Sequence, residues 1–584
     1  MLPWSACFAF GLSSVFFVAA QRDYLQPETF IRRRYHSSAK LRDYIYIDGG
    51  ELSWLNSSGG VESAQNPKTQ SIDLSKSWVN TSLRLRELDR GNAPALNFCA
   101  LWVDEAETTM YPFGGELSFL TDTGPRPPQP WEFVADGKGG GLWAQGTVAP
   151  ASNFSSLVQP AGGSYTYGNG VGYYLGGHLF SKSWPARDWY PVTGLVTHNM
   201  TSNTWTNVTS VEYDQGRVSH FGIAHFVSHL GPSGLVLFIG GRTSPDDEMN
   251  RNEEKRSFAD IAMYEPGSGK WFHQIATGTI PEWRTRPCAV GVKGENDTYE
   301  IFIYGGANTA LYGGQFPTEM EAEAANALDE IFVLSLPAFV WFKANYTAKS
   351  SRQSHTCHLV GKRQLLTIGG IDPSLQEYYS FQKNATDPFT LGLGVFDLTE
   401  MTWSDGYNAD APEYRSPRDV FDYYLRNTRY PVWGSPDLAS LFGDDNALIA
   451  SSPLPTETST TVNHHSDHSP QSDVPSPEKS RRRKTVYIVV PLVVFLILVA
   501  IGVFCIRLAI RRKRDNASKK PDAGTSELDS NQLGELASVQ RHELAEQQCF
   551  EMAGGPMSPI RRYSTTDSIY EKDVVRSSGL YSTS

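Results

Sequence analysis

Histidines and cysteines carry most of the chemistry this sequence could perform, and their spacing decides whether they perform it. The run "SHFGIAHFVSH" puts His220, His225 and His229 close together, which is the composition of a transition-metal site. On a strand, however, residues five apart face opposite ways, so His220 and His225 diverge unless a bulge intervenes. His178, His198, His273, His355 and His358 are scattered. The adjacent pair His464-His465 falls in a Ser-, Thr- and Pro-rich segment, where a solvated chain is the expectation. No nucleophile elbow, phosphate loop or paired-carboxylate motif stands out. These residues predict no enzyme, no catalytic residue, no metal site and no cofactor. Three cysteines precede residue 450, Cys99, Cys288 and Cys357, and an odd count leaves at least one thiol unpaired.

The elements that would hold such residues announce themselves through glycine. Apolar runs end at paired glycines six times: Gly49-Gly50, Gly114-Gly115, Gly176-Gly177, Gly240-Gly241, Gly305-Gly306 and Gly369-Gly370. Successive pairs are 65, 62, 64, 65 and 64 residues apart. A tryptophan follows each pair: Trp78, Trp143, Trp205, Trp271, Trp341 and Trp403. Each unit reads as four short strands, with the second ending in Gly-Gly and the fourth holding the tryptophan. A four-stranded sheet cannot bury both faces alone, so radial stacking into an all-β propeller is predicted. The glycines would allow a close backbone approach, and the tryptophan would fill the gap between blades.

This set of features resembles the kelch repeat. Its marks here are the apolar run with Gly-Gly, the downstream Trp, and an aromatic seven residues before it (Tyr264 before Trp271, Phe396 before Trp403). Arg and His also recur in the first strand, in "RRRYH" and "SRQSH". The resemblance covers about residues 30–410. It is weakest in repeat two, where "DGKGGGLWAQ" lacks the matching aromatic. The period exceeds the roughly 50 residues usual for such repeats, so enlarged loops are implied. Six blades are expected, with "EYRSPRDVFDYYL" read as a closing strand or the remnant of a seventh. Cys288 and Cys357 take the same first-strand place in adjacent repeats, where strands converge on the axis, so a 288–357 disulfide is expected and Cys99 is the leftover buried thiol. The resemblance also raises a rival, a copper radical oxidase of the galactose oxidase type, which the scattered histidines disfavour. In overall arrangement the chain is similar to single-pass membrane kelch proteins of filamentous fungi.

The flanks set the expected topology. Met1 to Ala20 is apolar and uncharged, and reads as a signal peptide (1–20). The propeller is assigned to 21–450, a Ser/Thr/Pro-rich stalk to 451–484, a transmembrane helix to 485–507 and a disordered cytoplasmic tail to 508–584. Val486 to Ile506 would span about 31 Å as a helix. Basic residues flank it on both sides, so the signal peptide decides the orientation, N-terminus outside. Eight Asn-x-Ser/Thr sites are glycosylation candidates: Asn56, Asn80, Asn153, Asn199, Asn207, Asn296, Asn345 and Asn384. The net charge is −12, and 21–450 alone carries −14, with 34 basic against 48 acidic residues, which argues against nucleic acid as a partner. Two enlarged loops, Ser244–Phe258 and Pro317–Glu330, follow Gly-Gly pairs and should share one rim, the second as a short helix. Ser558 and Ser564 are tail phosphorylation candidates. The expected function is a non-enzymatic cell-surface propeller that binds an extracellular protein or glycan, lies in the lipid bilayer through one helix, and recruits a cytoplasmic adaptor through its tail. A structural or adhesive protein without signalling is the alternative.

Overall fold

The computed structural model describes residues 25–444, apart from 119, 122–123, 125–127, 150–153, 184–189, 209–216, 245–253, 309–327 and 373–385. The chain divides into two compact units, Met1–Thr458 and Ser459–Ser584, and every described residue lies in the first. Of the ten sheets formed by the described residues, six have four or five strands and follow one another along it. Their inner strands are Ser37–Leu41, Ala100–Val103, Ser164–Gly168, Ile223–Val227, Cys288–Lys293 and Thr356–Val360. Each packs against the next, and the sixth packs back against the first, so six blades close one ring. Blade five gains a fifth strand, because Thr277–Gly278 pairs in parallel with its outer strand Val340–Lys343.

Six apolar cores sit between blades rather than within them. One joins Ala39 and Tyr46 of blade one to Leu101 and Phe133 of blade two. Another joins Leu237 and Met263 of blade four to Ile301 and Leu334 of blade five. The last joins Ile45 and Ile72 of blade one to Leu366 and Val395 of blade six. Each repeat tryptophan enters the core shared with the preceding blade. Trp205 of blade three meets Trp102 and Phe113 of blade two with ring centroids 5.6 and 5.3 Å away. Trp403 of blade six lies 5.1 Å from Tyr304 of blade five. The aromatic seven residues upstream is its cross-strand partner, as the registers Tyr264↔Trp271 and Phe396↔Trp403 show. His198 takes that place in blade three, stacked 3.9 Å from Trp205.

Trp78 corrects the repeat scheme. The fourth strand of blade one is Arg86–Asp89, and Trp78 lies before it on a two-residue strand, Trp78–Val79. That strand pairs instead with Gly406–Tyr407, just past blade six. It belongs to a closing seam. Gly370 N–H donates to Arg33 O (2.8 Å) and Asp387 N–H to Ile31 O (2.8 Å). His36 Nε2 meets Thr356 Oγ1 at 3.0 Å, and Ser38 Oγ meets His358 Nε2 at 2.7 Å. Each blade comes from one contiguous stretch of chain, so the four-stranded sheets of blades one and six share no strand; this seam closes the ring.

The double glycines are explained by a repeated contact. The second glycine of each pair donates its N–H to a carbonyl at the entry of the next blade: Leu96, Pro160, Ser219, Arg284, Arg352 and, around the ring, Arg33. At Gly114 φ is +68°, and a Cβ there would stand 2.2 Å from Pro160 O. Only glycine tolerates both conditions.

Beyond the short seam strand Gly406–Tyr407, the stretch 413–425 is not a strand and builds no seventh blade. The chain here forms helices α1 (Arg418–Arg426) and α2 (Pro436–Leu441), the latter capped by Ser435 Oγ accepting from Leu438 N–H. Both pack beneath blades four to six, on the face opposite the glycine pairs. Tyr424 reaches Ser335 Oγ (3.0 Å), and Gly231 N–H donates to Leu441 O (3.0 Å). Among the described residues no helix is long and apolar enough to cross a membrane. The signal peptide, stalk, Val486–Ile506 helix and tail assigned above lie outside the described residues, as do His464 and His465.

Candidate functional site

The face that bears the glycine pairs also receives the connections between second and third strands and between consecutive blades. At its centre six residues precede the inner strands: Tyr35, Phe98, Gly162, Phe221, Arg286 and Ser354, all with positive φ. Their backbones are linked edge to edge: Phe98 N–H donates to Tyr35 O, Phe221 N–H to Gly162 O, Arg286 N–H to Phe221 O and Ser354 N–H to Arg286 O. Side chains close this collar over the axis. The Arg286 guanidinium sits 3.9 Å over the Phe221 ring and 5.7 Å over Phe98, and Phe98 lies 4.7 Å from Tyr35. Stacked cations of this kind are favourable where water is scarce.

Buried charges behind the collar hold it. Arg284 and Arg352 occupy the same repeat position and bind Glu330 (3.0 Å) and Asp387 (2.9 Å). Arg33, at the same position in blade one, donates to Gln70 Oε1 (2.8 Å). Glu51 bonds Arg34 (2.9 Å), Asn97 (3.1 Å) and Ser118 (2.6 Å). Burial pushes the neighbouring Glu116 carboxyl up to about 8; Arg286 opposes the shift and Glu51 adds to it.

Below the collar runs an axial channel of about 450 Å³. Its polar wall is made by His36, Ser38, Thr356 and His358 across the seam, and by His225, whose Nε2 meets Tyr299 OH at 3.0 Å. Ser38 and His358 have the separation of a nucleophile and its base. Burial, with Lys40 adding to it, brings His358 down to about 3, too weak a base to take a hydroxyl proton near neutrality. The Ser38 hydroxyl also bonds Thr356. The pair is better read as part of the seam than as a catalytic dyad.

A second concavity, about 420 Å³, lies off-axis on the glycine face between blades one, two and three. Trp131, Trp143, Arg90, Gln65, Gln129 and Lys182 line it. The Arg90 guanidinium stacks 4.9 Å over Trp143 and is ion-paired to Asp48. Trp143 Nε1 donates to Thr69 Oγ1 (2.9 Å), which fixes the indole plane. Both tryptophans are half-buried, so part of each ring faces the cleft. The Arg90 donors are all spent within the protein, on Asp48, Ala93 and Pro94, so this residue stiffens the cleft floor; the flat aromatic faces and the exposed Gln129 amide suit a neutral, hydroxyl-rich or peptidic ligand.

Cys288 and Cys357 form a disulfide with Cα atoms 5.6 Å apart, and Cys99 is a free, buried thiol. His220 and His225 do not meet: His220 bonds Ser244 (2.7 Å) on an accessory strand, whereas His225 faces the channel. His220 instead approaches His178, 6.2 Å away, and burial keeps both neutral, with Arg242 nearby. Asn207, Asn296 and Asn345 are exposed, and Asn56 and Asn199 half-buried. Asn80 is a correction: it is 1% exposed and its Nδ2 donates to Leu393 O (3.2 Å), which leaves no room for a glycan. Asn153, Asn384, Ser558, Ser564 and most of the loops 244–258 and 317–330 lie outside the described residues. The collar and the tryptophan cleft went unread in the sequence. Their one linear trace is the residue two before each inner strand, whose types (Tyr, Phe, Gly, Phe, Arg, Ser) share only a backbone conformation.

No protein-family profile matches the chain. It is 23% identical over 433 residues to a kelch repeat-containing protein of Arthroderma benhamiae (strain ATCC MYA-4681 / CBS 112371), across 67% of this chain and 59% of the relative. The chain therefore spans about 59% of the length of that curated relative.

Proposed function

We propose that this kelch-repeat β-propeller is a non-enzymatic binding module of the cell surface, and that its glycine face takes up an extracellular glycan or protein. The kelch-repeat relative supports the propeller and an interaction role. The observation that carries the choice of face is the Trp131–Trp143 cleft, where half-buried aromatic planes are held in place by the buried Arg90 stacked on Trp143. The tail and the Val486–Ile506 helix enter this reading from sequence alone, the helix as the anchor and Ser558 and Ser564 as points where an adaptor is recruited.

The test is binding of the purified chain to arrayed glycans and surface proteins, followed by Trp131→Ala and Trp143→Ala. Each substitution is expected to weaken the strongest hit about tenfold, the loss of roughly one aromatic contact of about 1.4 kcal/mol. Undiminished binding in both variants would sink the choice of cleft. The adhesive alternative separates from a signalling role by deletion after Arg514, which an adhesive protein tolerates and a sensor does not.

A further inference from the structure

Among the described residues, one group of potential metal ligands converges: Cys288, His355 and Cys357, whose ligand atoms all lie within 4.8 Å of one another. They stand on the wall of the axial channel, where blade five meets blade six. Cys288 begins one inner strand, Cys357 lies on the next, and His355 is two residues before Cys357. The disulfide occupies both sulfurs, but the histidine is left over. It is 6% exposed, and neither Nδ1 nor Nε2 makes a hydrogen bond of good geometry. Its ring is pinned all the same: a Cβ on Gly305 would stand 2.8 Å from its Cε1, and Tyr304 meets it edge-on at 5.3 Å. Its hydrogen-bonding neighbours are backbone groups of Tyr304 and Gln353, which bond it weakly and at poor angles. A buried imidazole held only by loose backbone contacts keeps a ring nitrogen available to a better partner.

We infer that Cys288, Cys357 and His355 form a site for one soft divalent cation of the zinc class once the disulfide is reduced. The bridge takes two electrons and two protons from a small dithiol, which leaves as its own disulfide. On binding, the two thiols release their protons to solvent and coordinate as thiolates, and a ring nitrogen of His355 donates its lone pair. Two thiolates and a divalent ion sum to zero charge, which suits a buried wall. Two sulfurs and one nitrogen are a zinc-like donor set, and the fourth position opens on the channel. A flanking backbone carbonyl would hold the other ring nitrogen, as outer groups do around metal-bound histidines. The bridge and the ion are thus alternative ways of tying blade five to blade six. This inference stands apart from the choice of binding face.

The experiment uses the full chain, reduced with a phosphine, desalted without oxygen, and titrated with Co²⁺. One Co²⁺ per chain is expected, with thiolate charge-transfer absorption that Zn²⁺ abolishes, and none in the unreduced chain. His355→Gln is expected to weaken binding by at least about 100-fold, beyond the loss of an outer partner alone. Cys288→Ser is expected to weaken it as strongly, and Cys99→Ser to leave it unchanged. Circular dichroism of the metal-free reduced variants establishes that they are folded. The inference is overturned if the reduced chain takes up no ion, if the unreduced chain binds as well, if folded His355→Gln or Cys288→Ser binds as tightly as the parent, or if Cys99 proves to be the ligand.

Discussion

Glu116 shows how much a single side chain can couple this fold to its surroundings. The residue is 4% exposed and sits by Arg286, behind the collar. Burial raises its carboxyl to about 8, well above an unfolded glutamate. The folded state therefore holds this proton more tightly than the unfolded chain. The resulting stabilisation is complete in mild acid and is lost as pH climbs towards 8. Glu116→Gln, which cannot ionise, is expected to melt higher than the parent at pH 9, with the advantage shrinking as pH falls and gone only below about pH 4, the unfolded glutamate range. Equal melting temperatures across that range would show that Glu116 stays charged throughout. None of this was visible in "FGGELSF", because the shift depends on neighbours 65 and 170 residues away.

At the scale of elements, the tryptophans are the clearest case of a legible pattern with a physical cause. Trp205 is 4% exposed and packs on Trp102, Phe113, Phe154 and His198. Trp205→Ala should cost about 3–5 kcal/mol, read as a fall in the denaturant midpoint, since the cavity would open between two blades that cannot collapse together. The spacing of glycine and tryptophan was readable because both answer to short-range geometry, a strand's exit and its cross-strand partner. Trp78 was misplaced because the chain between Asp73 and Arg86 detours to the seam before returning to its sheet, and an offset of 28 residues hides that detour. Helix α1 was missed because Val420, Phe421, Tyr423, Tyr424 and Leu425 read equally well as a strand, and the Pro417 before them signals a start of either kind.

For the molecule as a whole, ring closure makes stability collective. Each inter-blade core is shared, so a lesion at one boundary strains the entire ring. Gly369 at the seam has φ +58°, and a Cβ there would stand 2.7 Å from Arg33 O. Gly369→Ala is expected to lower the midpoint by about 1–3 kcal/mol and to shift tryptophan fluorescence and circular dichroism together. Two separated transitions would instead mean that the blades unfold independently. Blade number and sequence order were legible because repetition is a property of the chain itself. The seam was not, because it joins residues more than 300 positions apart through single hydrogen bonds that leave no periodic mark.

That junction also fixes an order of events during synthesis. The carbonyls of Ile31 and Arg33 are made at the outset, yet the N–H groups that complete them belong to Asp387 and Gly370. Until the ribosome has released the sixth blade, the nascent chain carries one naked flank at either end, Ile45 and Ile72 on the first and Val290 and Phe302 on the fifth. Such a half-built circle exposes apolar surface that a finished ring hides, and its need for chaperones should be greatest just before the sixth blade, from Thr356 onward, emerges.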